Sequence, residues 1–168
     1  MPMKKSFAPV FALAFALVIS GVALANPGSS ANQTVGFEVA PIAVLAFSGN
    51  PEPLVIDSAT AGLEPADAVD TSTSWAFTTN HPSSRISATL DLEMPMGTSL
   101  SVQLQAPESA FGEGYVGLNE FPHTLIYGIE AGALSGLQVG YRLHAPVESG
   151  FIGSSSRTVT FTLSDDEI

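Results

Sequence analysis

The 168-residue chain contains no cysteine. No disulfide framework, thiolate metal site or cysteine nucleophile can be built from it. Basic residues are almost as scarce. Lys+Arg number 5 against 16 Asp+Glu, for a formal net charge of −11. Phosphate backbones repel so acidic a chain, which argues against nucleic acid as a partner. Helical periodicity is missing too. Ala59 to Val69 is the single candidate, and Gly62 and Pro65 make it a loop or one turn. Neither an internal repeat nor an interdomain linker is visible. What the chain does have is 45% hydrophobic residues, too many for an acidic disordered tail. Its length allows one domain, or at most two very small ones.

The first segment reads as something other than fold. Lys4 and Lys5 precede an apolar run, Phe11 to Val18, which weakens towards Leu24. Ala23-Leu24-Ala25 follows as a small-x-small site, so a secretory signal peptide cut after Ala25 is expected. The alternative, a membrane anchor, is disfavoured because the strongly apolar stretch falls short of the roughly 20 residues a span needs. Cleavage leaves 143 residues, from Asn26 to Ile168, and removes both lysines. Arg85, Arg142 and Arg157 then face all 16 acids, a net charge of −13. A chain without lysine has no ammonium for Schiff-base or P-loop chemistry. The expected location is secreted, extracellular or cell-surface, with the periplasm as alternative, and no transmembrane anchor after cleavage.

Nearly every clear pattern in the body has period two. Val35, Phe37 and Val39 share one face of Thr34–Val39. Ile86, Ala88, Leu90 and Leu92 do so in Arg85–Leu92, and Leu100, Val102 and Leu104 in Ser99–Ala106. Leu137, Val139, Tyr141 and Leu143 form another row, as do Val159, Phe161 and Leu163 between outward threonines. Such alternation predicts strands with one face on a core and one in water. Ile42–Phe47 is more continuously apolar, and Leu54–Ile56, Trp75–Thr79, Tyr115–Leu118 and Leu125–Ile129 are weaker strands. Turn residues separate them, as in Asn50-Pro51-Glu52-Pro53, Met94-Pro95-Met96-Gly97 and Glu148-Ser149-Gly150. The prediction is an all-β fold, a single antiparallel Greek-key, immunoglobulin-like β-sandwich, with a β-barrel as alternative. Expected boundaries are signal peptide 1–25, flexible leader 26–31, sandwich 32–164 and acidic tail 165–168.

Chemical motifs are few. Gly112-x-Gly114-x-x-Gly117 matches the dinucleotide fingerprint, but no helix follows to meet a pyrophosphate, so it reads as a loop between strands. His81, His123 and His144 are scattered singly, without zinc spacing. No G-x-S-x-G elbow occurs, and Ser154-Ser155-Ser156 reads as a polar turn. Glu64, Asp67 and Asp70 cluster in one loop and are weak calcium candidates; an ordinary solvated acidic surface is the reading preferred. No cofactor is expected, and no enzyme. Trp75, Tyr115, Phe121, Tyr127 and Phe151 could stack on sugars, with Phe121 and Phe151 the best placed for exposure, although core is the default for aromatics. Asn32-Gln33-Thr34 is a glycosylation sequon.

Thr34, Val35, Phe37 and Val39 are the candidate assembly strand. A regular terminal segment can pair in its own sheet or add to the open edge of a neighbour. Head-to-tail exchange of that kind does not close and gives filaments. The chain resembles small bacterial exported pilin-like or biofilm-matrix β-sandwich proteins. The resemblance rests on the signal peptide, Gln33–Val39, Thr78-Thr79-Asn80, Arg85–Leu90, Gly97–Leu100 and Thr158–Leu163. It implies a non-enzymatic structural protein, self-assembling into an extracellular filament by donor-strand complementation. The absence of cysteine departs from usher-assembled pilins, which usually carry a disulfide. The alternative is a secreted module that binds carbohydrate or calcium.

Overall fold

Alternating apolar and polar residues build ten strands among the described residues, 30–166 of the computed structural model. The expected signal peptide, most of the leader and the last two residues lie outside that range. In chain order the strands are β1 (Ala43–Phe47), β2 (Ala68–Asp70), β3 (Ser74–Thr79), β4 (Ser84–Leu90) and β5 (Ser99–Leu104). Then come β6 (Phe111–Gly112), β7 (Val116–Gly117), β8 (His123–Ile129), β9 (Gly132–His144) and β10 (Val159–Asp165). No α-helix occurs among the described residues, and Val147–Ser149 is a single 3₁₀ turn. Residues 39–166 belong to one compact unit.

Two antiparallel sheets, not closed into a barrel, face each other as a β-sandwich. One runs β1-β3-β9-β5-β7, with β2 also on β9; the other runs β10-β4-β8-β6. From β3 onwards each successive strand crosses to the opposite sheet, so no two consecutive strands are ladder partners. The thirteen-residue β9 is the hub. Its first half pairs with β3 and its second half with β2 and β5. A bulge opposite Trp75–Phe77 falls at Gly136, whose φ of 74° only glycine adopts at little cost.

The inward rows meet between the sheets. Trp75, Phe77, Val102, Leu104 and Val139 from one sheet pack against Ile86, Ala88, Leu90, Leu125, Ile126 and Ile129 from the other. Fully burying each larger side chain contributes about 1.5–3 kcal/mol. Four expectations need correction. Leu92 is exposed, because β4 ends at Leu90. Leu54–Ile56 joins no ladder, although Leu54 packs on the core. Val159, Phe161 and Leu163 are half-buried rather than buried, and β10 extends to Asp165, into the expected tail.

Candidate functional site

The segment singled out for assembly carries no strand. Residues 30–42 form no ladder, and Val35, Phe37 and Val39 are 75%, 94% and 77% exposed. The strand that the alternation of Thr34–Val39 predicts is absent, and among the described residues the segment joins no ladder. Leaving two valines and a phenylalanine in water forgoes the usual gain from burial, roughly 25 cal/mol per Å2 of apolar surface. Folding this segment back as a hairpin on β1 would need Ala40-Pro41-Ile42 as the turn. Those residues are engaged elsewhere. The Ile42 N–H donates to Asn80 Oδ1 (2.7 Å), and Asn80 Nδ2 donates to the Ala40 carbonyl (2.9 Å). The Asn80 N–H in turn donates to the Ile42 carbonyl (3.1 Å). No non-glycine residue among those described has positive φ, so a primed hairpin turn is absent there.

The sandwich is least complete where β1 and β10 end the two sheets. Among the described residues β1 ladders only with β3, and β10 only with β4. Within each sheet the inward rows run on without a break. Leu45 lies beside Phe77 and Phe47 beside Trp75; Leu163 lies beside Ile86, Phe161 beside Ala88 and Val159 beside Leu90. The central partner is buried in each case, whereas the edge residue is only half-covered. Phe47 and Phe161 bridge the sheets with ring centroids 4.3 Å apart. Polar ties hold both ends of β10. The Thr158 N–H donates to Asp91 Oδ1 (2.9 Å) and the Asp91 N–H to the Thr158 carbonyl (3.0 Å). The first of these bonds lowers the Asp91 carboxyl below the usual carboxylate range, because it favours the charged form. At the other end His81 Nδ1 lies 2.9 Å from Asp165, and Arg85 lies 3.9 Å from Asp166.

The loop acids do not converge. Asp67 contacts His144 Nδ1 (2.7 Å) and Arg142 Nε (3.8 Å). Glu64 accepts the Val147 N–H (2.8 Å), and Asp70 accepts from the N–H and hydroxyl of Ser72. Among the described residues no three His, Asp or Glu side chains form a group that could hold a metal ion. The histidines stay apart as well, with His123 Nε2 on Asn119 Oδ1 (2.9 Å). Asp70 sits opposite Tyr141, whose phenol is pushed above its ordinary range by burial and, second, by the Asp70 charge. The glycine fingerprint falls across the short strands β6 and β7, and a strand rather than a helix follows.

No protein-family model and no curated protein matches this sequence. No helix of the described residues is long and apolar enough to cross a membrane. A groove of about 420 Å3 lies where β5 ends beside β9, lined by Thr71, Gln103, Gln105, Tyr115 and Gln138 among others, with no charged side chain. Gln105 Oε1 accepts the Gln138 N–H (3.0 Å). Arg142 covers one face of Tyr115 at 4.6 Å, and Gly140 leaves room for the tyrosine hydroxyl. Of the expected aromatics, Phe121 and Phe151 are exposed as foreseen, whereas Trp75 is core. Tyr127 stacks on Phe111 (5.4 Å), a pair the sequence did not signal because β6 is only two residues long.

Proposed function

We propose that this is an exported, non-enzymatic structural protein of the cell surface or extracellular matrix. In this reading it self-assembles into filaments by exchange of its N-terminal strand, as pilin-like and biofilm-matrix proteins do. One observation carries it. The Thr34–Val39 segment has the strict apolar alternation of a strand yet pairs with nothing among the described residues, its apolar row exposed. A row of that kind gains burial and backbone bonds only from another sheet edge. Donor and acceptor are different surfaces, so the contact is head-to-tail and propagates. Electron microscopy and sedimentation of the exported protein test it. Filaments are expected, and they are lost on deletion of Asn26–Val39. Protein that stays monomeric at high concentration and seeds nothing overturns the reading.

A second reading, a secreted carbohydrate-binding module, is favoured by the groove. On a chain with 16 acids its charge-free lining of amides and a tyrosine suits a neutral glycan. Glycan-array binding lost in Gln103→Ala and Tyr115→Ala would support it, and silence across the array would sink it.

A further inference from the structure

Resting on the assembly reading, we propose that Thr34–Val39 of a second copy is received at the seam between the two sheets, antiparallel on the free edge of β10. The other open edges serve this occupant poorly. The open-edged strands β2, β6 and β7 are three, two and two residues long and offer few ladder bonds. The first half of β9 is bulged at Gly136 and nearly all exposed, with no half-buried row waiting to be covered. The five-residue β1 is shorter than the donor, whereas β10 has seven residues and a register on β4 without a shift.

The seam also has the shape of a missing neighbour. Val159, Phe161 and Leu163 stand at every second position, half-buried, beside fully buried partners on β4. Val35, Phe37 and Val39 have the same spacing and are exposed. Antiparallel pairing brings Val35 opposite Leu163, Phe37 opposite Phe161 and Val39 opposite Val159. Phe37 then joins the existing Phe47–Phe161 stack, and cross-strand aromatic pairs of this kind are among the favourable ones. Every ladder of this sheet is antiparallel, and the donor is taken in the same sense. Glu38 is the sole ionisable residue of the donor. Antiparallel entry sets it opposite Thr160, on the outward face and clear of the apolar row. Gly36 and Glu38 face outward, level with the exposed Thr162 and Thr160.

The cysteine-free chain makes disulfide trapping a clean test, because any thiol is the one introduced. Directly opposed strand residues have Cβ atoms about 4.5–5.5 Å apart, close enough to bridge with small shifts. Exported protein carrying Glu38→Cys and Thr160→Cys is oxidised and run without reductant. A ladder of covalent oligomers, at least tenfold stronger than from Glu38→Cys paired with Val44→Cys on β1 or Ser135→Cys on β9, is expected, and reductant should collapse it. A ladder through Val44 or Ser135 instead overturns the β10 seam while leaving self-assembly standing. Uncrosslinked protein that never forms oligomers overturns the assembly reading and the seam with it. Phe37→Asp is the second variant. Because Phe37 is exposed, the monomer should melt as wild type does while assembly falls at least tenfold; unchanged assembly also overturns the proposal.

Discussion

At the scale of single residues, Trp75 combines a large apolar payload with an unmet polar atom. It is 1% exposed, stacks on Phe77, and its buried Nε1–H has no hydrogen-bond partner. Removing an unsatisfied buried donor relieves a desolvation cost that partly offsets lost packing. Trp75→Phe should therefore destabilise far less than Trp75→Ala, for which about 3–5 kcal/mol is expected. Urea unfolding followed by circular dichroism separates the two. Asp91 supplies a pH dependence with a definite sign. Its folded carboxyl is held below its unfolded value, so its contribution is complete above the usual carboxylate range and lost as pH falls through the folded value. Melting temperature should drop on acidification through that window, and Asp91→Asn should flatten this part of the curve.

At the scale of elements, Asn80 is the device that commits the chain entering β1. Its side chain makes two of the three bonds on Ala40 and Ile42. Asn80→Ala should cost about 1–2 kcal/mol for the two side-chain bonds. It should also speed amide exchange at Ile42 more than in the centre of β3, a difference that hydrogen-exchange mass spectrometry reads. Much of the rest was legible in the alternation of apolar residues. The rows on β4, β5 and the second half of β9 stand where period two placed them, since a half-buried strand writes its faces into every second side chain. The first half of β9 did not show, because Gly132, Ala133, Ser135 and Gly136 present no apolar row and are held through backbone bonds to β3. The short β2 and β6 carry too few residues for any period. Thr34–Val39 alternates as well as any strand and has no ladder, because a pattern specifies a face and not its partner. Clustering of Glu64, Asp67 and Asp70 in sequence says nothing of their separate engagements with Val147, His144 and Ser72.

At the scale of the molecule, charge opposes association. From Asn26 onwards 16 acids face three arginines. Arg85 and Arg142 lie near acids of their own chain, and Arg157 donates to the carbonyls of Glu93 and Ser156. Raising ionic strength from about 10 mM to about 150 mM shortens the screening length from roughly 30 to 8 Å. If the protein assembles as proposed, this rise should lower the concentration at which filaments appear by light scattering, and added calcium should act in the same direction. Connectivity acts on the molecule as a whole as well. Since β9 partners β2, β3 and β5, a chain truncated after Ala131 should lose cooperative unfolding and become sensitive to protease. That dependence also sets an order in time. Every ladder joins strands that are not consecutive, and such topologies fold slowly because distant segments must meet first. In the proposed assembly the acceptor edge β10 lies far downstream of the donor segment in the chain. If assembly runs as proposed, a newly made copy holds its donor before its acceptor is finished, so growth should be polar, with young subunits joining through Thr34–Val39 at the completed end.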